Sequence, residues 1–364
     1  MVSIGETKID SVEDIGLALF FDTNLSINRN HACATCHSPL HGFVDPRSNA
    51  SGRAISLGFD GKMFGDRNAP TISYAAFSPK FSLNDDQVYV GGQFLDGREI
   101  DLAGQAQQPF LNPTEMGMPS KSSVVERLQE NPDYVEAFKQ CFGDDIFDFP
   151  GRAYRAMAES IAAFERSELF SPFDSKYDRY LRGQYKMTDL EELGMTLFFS
   201  QQFTNCHNCH QLNPTPNRER ETFSNYQYHN IGVPVNKTAR AVNGMDKDYI
   251  DQGLFQNPRV DDKNHVGKFK VPTLRNIAVT APYMHNGVFE ELRTVSLFYN
   301  KFNSNSPKRQ INPETGEKWQ PPEVERNISL SELEKGPALD DQRIDALVAF
   351  LKTLTDKRYE HFLE

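Results

Sequence analysis

The chain has 364 residues, 38% hydrophobic and 24% charged, the make-up of a globular protein long enough for about two domains with their own cores. No apolar run nears the roughly 18 residues that span a membrane, and a net charge of −11 speaks against nucleic acid or an anionic membrane surface as partner. The opening MVSIGETKID lacks the charged start and apolar stretch of a secretory leader, so the chain is expected to be either cytosolic or a mature form whose leader has been removed.

In chain order, VEDIGLALFF (Val12–Phe21) places Val12, Ile15 and Leu19 at helical spacing and leads into HACATCHSPLHGF, which begins at His31 and contains Cys33, Cys36 and His37. Residues 39–94 follow with few strand signals. SSVVERLQENPDYVEAFKQ (Ser122–Gln140) and GRAYRAMAESIAAFERSELF (Gly151–Phe170) both carry apolar residues at steps of three and four and read as helices. Cys141, just past the first of these, reads as a small buried core residue.

LEELGMTLFF (Leu190–Phe199) then repeats the first stretch. Both have the pattern Glu-acidic-aliphatic-Gly-x-x-Leu-Phe-Phe, and both precede a Cys-x-x-Cys-His, here Cys206, Cys209 and His210. A repeat of this length implies two related domains, with a boundary near residue 165. Residues 211–275 form a second long loop region, and loops of that length are usually functional or wrapped around something. The end, LDDQRIDALVAFLKTLTD, reads as a helix capped by Asp340 or Asp341, with Ile344, Leu347, Val348, Leu351 and Leu354 on one face.

Cys-x-x-Cys alone fits a zinc half-site, a thiol redox pair or haem attachment. A zinc ribbon needs its knuckles closer together than Cys36 and Cys206, and a thioredoxin-like site needs a βαβ setting that the pattern lacks. The trailing histidine selects c-type haem: two thiols form thioethers, and the adjacent imidazole becomes the proximal iron ligand. Cys33, Cys36 and His37 are therefore expected to hold one haem, and Cys206, Cys209 and His210 a second.

With LALFFDTNLS, RNAPT, GGQFLDGR, QAQQPFLNPTEMG, VPTLRNIAVTAPYMHNG and LVAFLKTL, the chain resembles the bacterial dihaem cytochrome c peroxidase family over nearly its whole length, and within it the MauG-like subgroup. The resemblance implies an all-α fold of two cytochrome c-like domains, residues 1–165 and 166–364. Each would carry one covalently bound c-type haem, with long loops around the haems. It also implies export, hence a periplasmic protein without its leader.

What the resemblance implies for the two haems differs. Ordinary members carry a histidine before RNAPT that blocks the first haem until activation, whereas SLGFDGKMFGDRNAPT (Ser56–Thr71) has none, so haem one is expected to be five-coordinate. Nearby His31 and His41 read as surface or loop packing. Glu115 and Gln105 match the family's distal acid–base and hydrogen-bond donor, although by spacing alone Glu115 reads equally well as a cap residue entering a helix. For haem two, Tyr299 matches the position of the second iron ligand, a methionine in ordinary members and a tyrosine in MauG-like ones. Without the resemblance a lone tyrosine at helical spacing reads as a core aromatic. Met284, the other candidate, and His285 are expected to pack nearby.

A calcium ion is expected at Asn68, Thr280 and Pro282, also on resemblance. The family's tryptophan between the haems is replaced by Leu95, and the sole tryptophan, Trp319, is expected on a surface loop. The leading expectation is an enzyme that reacts with hydrogen peroxide at haem one, stores oxidising equivalents on haem two, and oxidises side chains of a partner protein. The alternatives are a cytochrome c peroxidase fed by a small cytochrome c or cupredoxin, and a dihaem electron carrier without catalysis.

Overall fold

The structure, a computed structural model, describes residues 9–213, 218–246 and 248–363, so most of the opening stretch on which the leader reading rests lies outside it. Its helices in the first half are α1 (Val12–Phe21), α2 (Cys33–Cys36), α3 (Leu102–Ala106), α4 (Gln108–Leu111), α5 (Lys121–Gln129), α6 (Pro132–Phe142) and α7 (Pro150–Phe164). The second half has α8 (Lys176–Leu181), α9 (Asp189–Phe198), α10 (Cys206–Cys209), α11 (Lys237–Val242), α12 (Leu292–Asn300), α13 (Leu330–Leu333) and α14 (Asp341–Lys352). Two antiparallel ribbons complete the ladders among the described residues: β1 (Ser82–Leu83) with β2 (Tyr89–Val90), and β3 (Tyr228–His229) with β4 (Phe269–Lys270), where Tyr228 faces Lys270.

The two repeated stretches become α1 and α9, and the glycine they share has a packing reason. A Cβ on Gly16 would lie 1.9 Å from the carbonyl oxygen of Ser160 in α7, and one on Gly194 would lie 1.9 Å from that of Ala346 in α14. Each helix crosses its partner with backbones in contact at that point. Around the first crossing Ile15, Leu19, Leu128, Phe138, Met157 and Ile161 are buried together; around the second, Leu197, Phe198, Phe223, Ile344, Leu347 and Phe350. Gly194→Ala is accordingly expected to destabilise the protein by about 1–3 kcal/mol or more through overpacking, measured by denaturant unfolding. An unchanged midpoint would contradict a backbone-to-backbone crossing.

Local chemistry explains where the helices depart from expectation. The stretch 122–140 is two helices, because Pro132 starts α6 and holds Asn131 extended (φ −103°, ψ 111°), where its side chain accepts the Asp133 amide at 3.0 Å. The helix read to Phe170 ends at Phe164. Cys141 is only half-buried, at the edge of the first core. Asp340, not Asp341, caps α14 through the Arg343 amide at 2.9 Å, and Leu354 is buried beyond the helix end. Trp319 is not on a bare surface loop: it donates to the Arg309 carbonyl at 2.9 Å and packs against Phe289 and Phe298.

Buried ionic groups tie distant segments together. Arg275 is fully buried, paired with both Asp178 oxygens at 2.6 and 2.9 Å, and its Nε donates to the Glu221 carbonyl at 2.8 Å. Arg67, just before Asn68, grips Asp251 at 2.7 Å and Asp96 at 2.6 Å, pinning the 56–71 segment to distant loops. The end of the chain returns to the start, with Tyr359 donating to the Pro39 carbonyl at 2.6 Å and Tyr74 to Asp356 at 2.5 Å.

Candidate functional site

The first motif is a single helical turn. Thr35 Oγ1 accepts the Ala32 amide at 3.0 Å, and the His37 amide donates to the Cys33 carbonyl at 2.9 Å, so both cysteines and the histidine leave one short loop. His37 Nδ1 lies 3.1 Å from the Phe43 carbonyl, which fixes the ring with its other nitrogen free to act as a ligand. Burial holds its pKa below the ordinary value, keeping it neutral as metal ligation requires. The Cys36 thiol is pushed up to about 12, first by burial and then by Asp45, although an Arg47 N–H lies 3.3 Å from its sulfur. Redox-active thiols have lowered pKa values, so this pair is unlike a thiol redox centre.

A cavity of about 60 Å³ opens beside this motif, walled by Cys33, His37, Gln105, Glu115 and Glu165 among others. Glu115 does not cap a helix. It sits in the turn after α4, while α5 is capped by Ser120, whose Oγ accepts the Ser123 amide at 3.1 Å. Asn112 Nδ2 donates to Glu115 Oε1 at 2.7 Å, and the Glu115 carbonyl accepts the Phe59 amide at 3.0 Å, tying the turn to the histidine-free 56–71 segment. Burial raises the Glu115 pKa, outweighing the Asn112 bond and the charge of Arg98.

Among the described residues on this wall the only histidine besides His37 is His31. It is buried rather than on the surface, and both its nitrogens have neighbours: Asn30 at 3.2 Å and the Leu57 carbonyl at 3.3 Å. His41 lies on a turn against Phe362. Glu165 escaped the sequence reading. It is a buried carboxyl at the end of α7 with no hydrogen-bond partner among the described side chains, pushed up to about 8 by burial. The available signal was a carboxylate on the apolar face of its helix, four residues from Ile161 and seven from Ala158.

The second motif repeats the device. Thr204 Oγ1 donates to the Leu197 carbonyl at 2.6 Å, Asn205 Nδ2 donates to that of Glu332, and His210 Nδ1 lies 3.2 Å from that of Phe223. Burial pushes His210 down to about 4. A cavity of about 410 Å³ borders this motif and reaches the first: its wall includes Cys206, Cys209, His210, Gln105 and His37. Tyr299, on α12, and Met284, in a turn with φ +74°, both face it. The Tyr299 hydroxyl is held up by burial and then by the neighbouring Cys209 and Cys206.

Leu95, Asn68, Thr280, Pro282 and His285 share this wall. Asn68 Nδ2 donates to the Ala54 carbonyl at 3.0 Å, which leaves its Oδ1 available. Among the described residues no cluster of three His, Cys, Asp or Glu side chains could hold a metal ion.

The residues fit covalently attached haem. All four motif cysteines are free thiols beside a cavity, and each histidine is oriented through Nδ1. Tyr226 Oη, His229 Nε2 and His285 Nε2 are buried on the wall of the large cavity with no hydrogen-bond partner among the described residues, Glu323 Oε2 standing 3.9 Å from His285 Nε2. Buried polar atoms are nearly always bonded, so three on one wall fit a group with a polar edge.

Residues 10–186 match the family described as di-haem cytochrome c peroxidase. The chain is 53% identical to the methylamine utilization protein MauG of Paracoccus denitrificans, across 98% of this chain and 91% of that protein. It is 30% identical to the cytochrome c551 peroxidase of Pseudomonas aeruginosa, across 79% of this chain and 71% of that one. The diheme peroxidase BthA from Burkholderia thailandensis superposes with a TM-score of 0.85 at 31% identity, covering 96% of this chain and 87% of BthA.

Proposed function

The chain belongs to the di-haem cytochrome c peroxidase family and is an oxidoreductase acting on hydrogen peroxide; from that premise we propose that its two motifs carry haems with unlike tasks. Cys33, Cys36 and His37 hold haem one in a cytochrome c-like domain of residues 1–165. Cys206, Cys209 and His210 hold haem two in a second such domain, residues 166–364, with Tyr299 as its other iron ligand. Bound there, the two haems would supply the two electrons that peroxide accepts, one from each, and those two oxidising equivalents would be passed to side chains of a docked partner protein in the periplasm. No helix among the described residues is long and apolar enough to cross a membrane.

The residues of the chain do the rest. Asn112 fixes one oxygen of the Glu115 carboxyl at 2.7 Å, leaving the other to move a proton between the two peroxide oxygens. Gln105, on the same wall, holds peroxide by a hydrogen bond. The Phe43 and Phe223 carbonyls hold His37 and His210 in the ligating tautomer. Calcium is bound by Asn68 Oδ1 and the carbonyls of Thr280 and Pro282, hard oxygen donors of the kind that suits this ion.

The observation that carries the reading is the pairing of a histidine-free 56–71 segment, tied to Glu115 beside the His37 pocket, with a tyrosine beside Cys206 and Cys209. A phenolate needs a positive partner where burial opposes it, and ferric iron is one. In the oxidised protein the EPR spectrum is expected to show one high-spin and one low-spin haem, and Tyr299→Phe to convert the low-spin signal to high-spin. A low-spin signal unaltered in Tyr299→Phe would sink the ligand assignment.

A further inference from the structure

Lys270, on β4, is a half-buried cation with no carboxylate in salt-bridge contact among the described residues. Its Nζ donates to the Gly92 carbonyl and lies 3.4 Å from Ser78 Oγ, which itself donates to that carbonyl at 2.8 Å. The acidic side chain acting on it is Asp96, and Asp96 is already taken by Arg67 at 2.6 Å and Arg98 at 2.9 Å. An ammonium has three donors. The carbonyl and the hydroxyl occupy two, and the third is left to the large cavity, whose wall Lys270 shares with His37 and His210. Burial drags its pKa down to about 8, and the charge of Asp96 opposes that fall.

The position of this lysine is as telling as its chemistry. Its backbone amide donates to the Leu95 carbonyl at 2.8 Å, so it is laced to the loop that approaches from the first half. The next strand, β3, follows Asn225, whose amide donates to the Cys209 carbonyl of the second motif at 2.8 Å. Tyr226, whose hydroxyl has no hydrogen-bond partner among the described residues on the same wall, accepts the Gly91 amide at 3.0 Å through its backbone carbonyl. A cationic donor and an unpartnered hydroxyl therefore flank one short loop where the two halves meet. A haem tied by thioethers along one edge presents its two carboxylates from the other.

We propose that Lys270 forms an ion pair with a haem carboxylate at the junction of the two motifs, fixing a positive charge beside that haem where Leu95 offers no polar contact. The inference rests on the two-haem reading. Lys270 acts as a positioning residue that raises the reduction potential of the haem it touches, because a nearby positive charge favours the reduced iron.

The test is spectroelectrochemical titration of holoprotein whose haem content has first been measured. Lys270→Gln keeps an amide donor for the Gly92 carbonyl but removes the charge, and is expected to lower the midpoint potential of one haem more than the other. Lys270→Arg is expected to keep both near the unaltered values. A residue that merely pins the loop would leave the potentials of Lys270→Gln unmoved, and that result, with two haems bound, would overturn the pairing while leaving the two-haem reading intact. Fewer than two haems in the unaltered chain would overturn both. Should the variants fail to fold, a crystal structure of the unaltered holoprotein decides: the inference requires a haem carboxylate within hydrogen-bond distance of Nζ, and a longer separation refutes it.

Discussion

Replacing Glu115 by Gln is expected to slow the reaction of the oxidised protein with peroxide by about 10²- to 10⁴-fold, the range attributed to a positioned acid–base. The substitution is nearly isosteric, and the amide can still pair with Asn112, whose Nδ2 lies 2.7 Å from Oε1. Haem content and the resting spectra should therefore be unaltered, and what is lost is the proton. The raised pKa of the buried carboxyl adds a second signature. The inflection that it contributes to the pH–rate profile should fall above the usual carboxylate range and vanish in the variant. Stopped-flow absorption with stoichiometric peroxide measures both. A rate within twofold of the unaltered protein would mean that Glu115 is a structural turn residue and that the proton moves elsewhere, with Glu165 the remaining carboxyl on that wall.

The second large effect is on stability. Arg275→Met strands Asp178, which is 2% exposed, without its bidentate partner, and should cost about 3–5 kcal/mol. The four rings around the guanidinium (Tyr74, Phe173, Tyr177 and Phe223) leave no route for water to replace it readily. Arg275→Met combined with Asp178→Leu should recover much of the loss, since the penalty lies in the unpaired charge rather than in the missing pair.

The sign of the pH effect follows from Asp178. Burial alone would raise its pKa, but Arg275 and the hydrogen bonds from Ser175 together outweigh burial and hold it below the ordinary value. The pair's contribution is therefore present above the unfolded carboxylate pKa near 3.9 and fades as pH falls through the folded one. Denaturant unfolding at neutral and acid pH checks both statements. A loss under 1 kcal/mol in Arg275→Met would contradict them.

Much of this organisation is local and so was legible in the residues. The repeated glycine-centred helices, the two Cys-x-x-Cys-His turns and the absence of histidine from residues 56–71 are each contained in one short stretch. The break at Asn131–Pro132 was legible too, since proline dictates the backbone before it, but apolar periodicity ran across the junction and hid it. Lys270 could not be recognised in that way, and for Glu165 the pattern offered only a carboxylate on an apolar helix face. Their meaning comes from what does not reach them, and a missing counter-ion is a property of the packed molecule rather than of neighbours in the chain. Trp319 misled for the same reason: its polar surroundings, GEKWQPPE, resemble a surface loop, yet Phe289 and Phe298 arrive from elsewhere to cover it.

The most direct test adds one equivalent of hydrogen peroxide to the fully oxidised, two-haem protein and follows absorption and EPR spectra together. Rapid loss of both ferric signals, with no prior reduction, is the result expected of the proposal that an open first haem and a tyrosine-ligated second one would share the oxidation. If nothing happens until one haem is reduced, the protein is a gated peroxidase, and the roles given to the histidine-free 56–71 segment and to Tyr299 are wrong.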